Sequence, residues 1–488
     1  MNKPIRAMSI FCMLLFVALL LNSTYLQYVQ AGDLNSRGDN RRVRDAEFAR
    51  ERGAILVDNQ AIAESKPSKD QYKFQRTYSQ PYKYAPVTGY FSYFYGRNAV
   101  EYTQNPILSG ADPRLFVNRV VDLVGNAEPK GGSVSLTLSG KAQTAAFDGL
   151  QKLGRDAQGA AVAIEPSTGK ILAMATTPSY DPNKVSTHSF EEMKKNYGRL
   201  STAKSRPMLN RAIQETYPPG STFKLVTAAA ALSSGQYNPQ SMVAGGKFLD
   251  LPQTSTNLPN EPGLDCGTTK ITLTQALENS CNTSFGDIGL HLGADAIRAQ
   301  AEKFGFDQTY LKDLNGQVKA RFPANPDLPQ TALSAIGQFD VAATPLQMAM
   351  VVAGIANQGT VMRPYLVDEV RAPDLSVLDK TSPEAFRSNA VSSSVARDLT
   401  QMMVEVVDHG TGTTAQIPGI KVAGKTGTAQ RGTNQAPYAW FVSFAPADNP
   451  QVAVAVFIDD PSVPRSEISG AGLAAPIAKA VMEAVINK

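Results

Sequence analysis

In the stretch YPPGSTFKLVTAAAAL, from Tyr217 to Leu232, a serine is followed three residues later by a lysine. Pro218, Pro219 and Gly220 cannot continue a helix, whereas Ser221 is a favoured residue at a helix start. Behind it Phe223, Leu225, Val226 and Ala228 to Leu232 leave no polar face, which is the pattern of a buried helix. Ser221 and Lys224 then share one face, a turn apart. Burial disfavours the charged form of a lysine, and a lysine driven towards neutrality can take a hydroxyl proton. Ser221 would be the nucleophile, Lys224 its base, and the unpartnered first-turn N–H of Ser221 a donor to the oxyanion that forms. The competing reading is a helix cap followed by a lysine that snorkels out to water. Two further Ser-x-x-Lys runs occur, at 167–170 and 201–204. The first falls in a hairpin turn, and the second runs into Arg206-Pro207 with no apolar helix behind it.

Two more groups can serve the same chemistry. Ser280-Cys281-Asn282 sits between two helix-like segments, where a hydroxyl and an amide can bind a lysine, a leaving group or a substrate amide. The pattern alone selects little, because Ser255-Thr256-Asn257 repeats it in a proline-rich loop. Lys425-Thr426-Gly427 lies on a strand whose alternation puts Lys425 and Gly427 on one face. Glycine lets another extended backbone approach, and lysine offers charge to a carboxylate. The alternative is an edge strand weakened by glycine and guarded by lysine. Alternation sends Thr426 to the other face, so a substrate contact by it requires local twist. The N–H of Thr428 would supply a second oxyanion donor.

The elements that must hold these residues can be read around them. VSLTL, from Val134, reads as a strand and GKAQTAAFDGLQKL as a helix, and GAAVAIEPSTGKILAMAT is a hairpin about a Pro-Ser-Thr-Gly turn. Residues 190–410 are expected to be mainly helical. Strands return in IKVAGKTGTAQ, YAWFVSFAPAD and QVAVAVFIDD, and AAPIAKAVMEAVI closes the chain as a helix. Sheet-forming segments at both ends of a helical middle predict one sheet built from both, with a helical subdomain beside it. Upstream, residues 32–130 are polar and aromatic, and GYFSYFYGRNAVEY reads as a half-buried sheet surface. Pro129-Lys-Gly-Gly132 is a plausible domain boundary.

Lys3 and Arg6 precede AMSIFCMLLFVALLL and then a weakly polar run, long enough to span a bilayer with the leader in the cytoplasm. A cleaved signal peptide ending at Val29-Gln30-Ala31 is the competing reading, and either exports the rest of the chain. The 488 residues carry 47 basic and 43 acidic side chains, which gives no basic footprint for nucleic acid. Three separated histidines indicate no metal site, and no cofactor is expected. Outside the membrane run only Cys266 and Cys281 remain, as one disulfide or as two free buried thiols.

Ser-x-x-Lys, Ser-x-Asn and Lys-Thr-Gly, in this order, resemble the active-site set of penicillin-binding proteins and serine β-lactamases. AVAIEPSTGKILAMATTPSYDPN, NRAIQETYPPGSTFK, GQFDVAATPLQMAMVVAGIANQG and GKTGTAQ are similar to transpeptidase-domain stretches. The resemblance covers roughly 134–488 and is nearest to the small class B type of high-GC Gram-positive bacteria. It implies an α+β fold, with an antiparallel sheet, flanking helices and an all-helical subdomain. The expected division is a membrane anchor at 1–31, a small non-catalytic pedestal at 32–133 and a transpeptidase domain at 134–488.

The implied reaction is D,D-transpeptidation of peptidoglycan, with β-lactams trapping Ser221. The resemblance gives Lys224 the base role and Ser280 a proton relay to the leaving group. Asn282 would hold the donor peptide and the lysine, and Lys425 with Thr426 the terminal carboxylate, beside Gly427 and Thr428. Stem peptides, lipid-linked precursors and the membrane are the implied partners, together with a glycosyltransferase and division or elongation proteins. The catalytic domain is expected on the extracellular face of the cell membrane. Cys281 inside the second motif would, if bonded, tie that loop to Cys266. A class D-like β-lactamase or penicillin sensor is the alternative, although such lactamases carry a hydrophobic residue where Asn282 stands. A non-catalytic scaffold is the other.

Overall fold

The computed structural model describes residues 3–487 except 37–40, 116–124, 126–129, 155, 262, 265 and 432–434. The chain opens with the helix Lys3–Thr24 and a continuing turn Tyr25–Val29, together 27 residues with none of the apolar surface buried. At 1.5 Å per residue that is roughly 40 Å, more than a bilayer's hydrocarbon core. This helix is a candidate membrane span.

A six-stranded sheet follows. Its spatial order is Val377–Lys380, Val367–Arg371, Ser133–Leu136, Ile55–Val57, Gln60–Pro67 and Phe74–Tyr78. The two strands from 367–380 lie in the stretch expected to be mainly helical. Val367–Arg371 pairs antiparallel with Ser133–Leu136, with Val370 opposite Val134. The divide expected at 133/134 therefore falls at the start of a central strand of this sheet. Of the boundary stretch, Pro129 lies outside the described residues. Beside the sheet, buried Glu101 accepts from Arg52 Nε (2.6 Å), Arg76 Nε (2.7 Å) and the Tyr78 hydroxyl (3.1 Å). The aromatic stretch 90–95 includes a short strand, Phe91–Ser92, paired antiparallel with Gly96–Arg97, and its rings pack into a buried cluster. Phe91 stacks on Phe48 with ring centroids 4.2 Å apart, and Tyr93 stacks on Phe190 at 5.1 Å.

The second sheet is five-stranded and wholly antiparallel, in the order Ala423–Ala429, Tyr438–Ala445, Val452–Asp459, Gln158–Ile164 and Ile171–Thr177. Both ends of the region thus contribute, as the pattern predicts. Alternation sorts its side chains into two cores. Trp440, Val442 and Phe444 join the core that holds the buried helices Lys224–Ser233 and Pro345–Ala356. Ala439, Phe441 and Ala445 join the core under Gly140–Gln151 and Ala475–Ile486. The helical subdomain includes Leu273–Glu278, Asn282–Leu292, Ala294–Lys303 and Leu328–Ala335. Ala423–Ala429 is the outer strand of this sheet, and the functional groups gather along its edge.

Candidate active site

Ser221 lies in the 3-10 turn Gly220–Phe223, three residues before the start of the α-helix at Lys224. Its hydroxyl caps nothing, so it differs from the helix-start serine that the sequence suggests. The turn is clamped from three sides. Trp440 Nε1 donates to Pro218 O (3.0 Å), Gly220 N to Gly337 O (3.0 Å), and Thr222 Oγ1 to Pro219 O (2.8 Å). Gly337 has φ +75°, and a Cβ there would stand 2.2 Å from Gly220 O. Only glycine lets that segment support the turn.

Lys224 is fully buried and does not reach out to water. Its Nζ donates to Ser280 O and to Asn282 Oδ1, both at 2.7 Å, and lies 3.3 Å from Ser280 Oγ. Burial pushes its pKa well below the ordinary lysine value, the charge of Lys425 pushes it further, and Glu261 opposes them. Lys425 is also fully buried, and burial lowers its pKa to about 7. Its Nζ donates to Ser280 Oγ at 2.8 Å and to Thr426 O at 3.1 Å. A neutral Lys224 has two N–H groups, matched by the two acceptors at 2.7 Å, and one lone pair. Ser280 Oγ, which accepts from Lys425, can turn its own proton to that lone pair. The hydroxyl thereby links two amines.

Local backbone explains why Ser280 can do this. It connects Leu273–Glu278 to Asn282–Leu292 with φ +57°, a left-handed conformation that non-glycine residues adopt at some cost. Cys281 follows at the N-cap position of the second helix and is bonded to Cys266. Asn282, the first residue of that helix, also donates from Nδ2 to Pro259 O (3.0 Å). Disulfide and amide together bind the 257–267 loop to the motif.

On the outer strand, Lys425 points under the cleft while Thr426 and Thr428 line it. Thr426 Oγ1 shares a hydrogen bond of 2.7 Å with Thr411 Oγ1. Gly427 packs on the nucleophile turn, and a Cβ there would lie 2.9 Å from Thr222 Cγ2. Ser221, Ser280, Thr426 and Thr428 open on one cleft of about 930 Å³.

Several wall residues lack any sequence pattern that marks them: Glu261, Leu264, Thr411 and Arg465. Of these only Glu261 and Leu264 had a pointer, their nearness to Cys266. Among the described residues no group of His, Cys, Asp and Glu is placed to hold a metal ion. The arrangement suits acyl transfer: a serine on one cleft with two buried amines whose pKa values burial lowers, and the outer edge of a strand for an extended peptide.

Comparison with known proteins points the same way. Residues 159–483 match the penicillin binding protein transpeptidase domain, and residues 52–134 the penicillin binding protein A dimerisation domain. The chain is 42% identical over 496 residues to the peptidoglycan D,D-transpeptidase PbpA of Mycolicibacterium smegmatis, across the whole of both proteins. It is 41% identical to the protein of that name from Mycobacterium tuberculosis, over 100% of this chain and 99% of the relative. The ceftriaxone acyl-enzyme of penicillin-binding protein A from M. tuberculosis superposes with a TM-score of 0.86 at 41% identity, over 91% of this chain and 100% of that one. The penicillin G acyl-enzyme of the same protein gives 0.84 at 41% identity, over 90% and 100%.

Proposed function

The chain belongs to the penicillin-binding protein transpeptidase family, and on that premise we propose that Ser221 is the residue it acylates. It is a peptidoglycan D,D-transpeptidase that works through a serine acyl-enzyme and is acylated by β-lactams. The observation that carries the residue assignment is the Ser280 hydroxyl held between two buried amines, on the same cleft as Ser221.

Ser221 Oγ attacks the carbonyl carbon of the penultimate D-alanine, and its proton passes to neutral Lys224. The oxyanion is received by the N–H groups of Ser221 and Thr428. As the C–N bond breaks, the proton returns through Ser280 to the departing D-alanine amine. Asn282 keeps Lys224 in place and offers its amide to the donor peptide. Lys425, Thr426 and Thr411 face the donor's terminal carboxylate, whose charge draws a proton onto Lys425. Gly427 lets the strand close on the nucleophile turn. An acceptor amine then attacks the acyl carbon and frees Ser221.

We assign the anchor to 1–31, the pedestal to 32–133 and the catalytic unit to 134–488, supported by where the two family matches fall. The apolar helix supports a single-pass anchor, with the cleft on the extracellular side. Lipid-linked precursors, a glycosyltransferase and division or elongation proteins are the proposed partners.

The test is intact mass over time after penicillin treatment of the full chain and its Ser221→Ala form. A lasting adduct on the wild type alone is expected. Rapid loss of adduct with antibiotic hydrolysis would indicate a β-lactamase, and an adduct on the folded variant would refute the assignment of Ser221.

A further inference from the structure

Transfer to an amine sets this site an electrostatic problem that hydrolysis does not. At neutral pH a primary amine arrives as an ammonium ion, yet two fully buried lysines, Lys224 and Lys425, lie beneath the cleft on either side of Ser280. Any proton that either amine carries repels a cation approaching that floor, whereas water is not repelled. A site that prefers amines therefore needs a negative charge close to the acyl carbon.

Glu261 is the single carboxylate among the described residues of the cleft wall. It is half-buried, and among the described residues its side chain makes no hydrogen bond or close ion pair, although its charge acts on Lys224. Its position is nonetheless fixed. Asn282 Nδ2 donates to Pro259 O at 3.0 Å, and the neighbouring Asn260 donates to Gly246 O at 2.6 Å and accepts from Thr283 N at 3.1 Å. The Cys266–Cys281 bond closes the same loop on the second motif. Such anchoring is unusual for a solvated surface acid, and it places Glu261 beside the Ser280-Asn282 end of the cleft.

The opposite end is basic. Arg465 Nη2 donates to Gln430 Oε1 at 2.6 Å, and Gln430 lies five residues beyond Lys425, about 17 Å along extended chain. A donor peptide lying along the strand with its carboxylate near Lys425 extends towards Arg465. Beyond the donor's contact with Asn282, the Glu261 end is then left for the second substrate.

We propose that Glu261 receives the ammonium group of the acceptor stem peptide and holds it beside acyl-Ser221. The inference rests on the transpeptidase reading of the same cleft. The ammonium loses one proton to solvent through the open cleft, and the amine nitrogen attacks the ester carbon. Its second proton passes through Lys224 to Ser221 Oγ as the C–O bond breaks and the amide forms. Glu261 carries no proton in these steps. It is a specificity residue that favours amines over water.

The test measures how one acyl-enzyme divides between nucleophiles. The full chain is acylated with an acyl-D-alanyl thioester, and the ratio of aminolysis to hydrolysis is measured with two acceptors. One is Nα-acetyl-lysinamide, a cation at neutral pH, and the other is hydroxylamine, which is uncharged there. The ratio cancels any change in acylation rate. Glu261→Gln should lower it about tenfold or more for the cation, and Glu261→Asp should recover part of the loss. With hydroxylamine the ratio should stay within about twofold of the wild type. An unchanged ratio for the cation, or an equal fall for both acceptors, overturns the proposal, since an equal fall means that Glu261 acts through Lys224. A wild type that forms no acyl-Ser221, or transfers to neither amine, instead overturns the transpeptidase reading itself.

Discussion

Gly427→Ala adds a single methyl group where the outer strand meets the nucleophile turn. The new Cβ would lie 2.9 Å from Thr222 Cγ2 and 3.1 Å from both Pro219 O and Trp440 Cβ, against 3.4–4 Å for ordinary contact. Something must move by about half an ångström or more. Trp440 is fully buried and bonded to Pro218 O, so the sheet side cannot yield easily. The displacement falls on the turn that carries Ser221. Overpacking of this kind costs about 1–3 kcal/mol of stability. Because a misplacement of about 1 Å can cost a hundredfold in rate, half that shift should slow acylation roughly tenfold. The assay is the second-order rate of penicillin acylation by intact mass, beside denaturant unfolding. Thr222→Ser removes the clashing methyl but keeps the hydroxyl bonded to Pro219 O, so the double variant should regain much of the rate. Wild-type acylation by Gly427→Ala, or no recovery in the double variant, would refute the view that this contact positions Ser221.

Further outcomes follow from other contacts. Replacing Cys266 and Cys281 by alanine opens a link between positions 15 residues apart and should cost about 3 kcal/mol in unfolding experiments, with slower acylation as Ser280 loosens. Lys425 is depressed to about 7 when folded but titrates near 10.5 when unfolded, so the unfolded chain binds the extra proton between those values. Stability should therefore rise with pH at about 1.4 kcal/mol per unit for this residue from pH 7 towards 10, and Lys425→Met should remove that share of the slope. Above pH 10 buried phenols such as Tyr84, pushed up to about 12, oppose the rise. Glu101→Gln leaves buried Arg52 and Arg76 without their shared counter-charge and should cost about 3–5 kcal/mol in denaturant melts.

The motif residues were legible because their signals are local. A turn, an apolar run and a lysine within sixteen residues locate the 221–224 pair, and alternation sends Lys425 beneath the cleft. Ser280 and Asn282 became specific only through their order with the other two motifs. Glu261, Thr411 and Arg465 were not legible, because tertiary packing alone brings them to the cleft from loops with no periodic pattern. The strands Val367–Arg371 and Val377–Lys380 escaped notice for a related reason: the strand that Val367–Arg371 joins, Ser133–Leu136, lies more than 200 residues earlier. Ser221 itself shows the limit of propensity. Serine favours caps, yet here the clamps on Pro218, Gly220 and Thr222 impose a 3-10 turn instead.

The mixed sheet bears on how the molecule can be divided. Ser133–Leu136 lies between a strand from the first hundred residues and one from the fourth hundred. A chain cut just before it would keep every motif residue but bare the side of that strand that pairs with Ile55–Val57. Unpaired edges of this kind invite association with any other exposed strand. The shortened protein should aggregate even though its cleft is complete. Supplied separately, residues 1–131 offer the missing strand, and the two pieces should reassemble by completing the sheet. Fragment complementation is thus built into the pairing order.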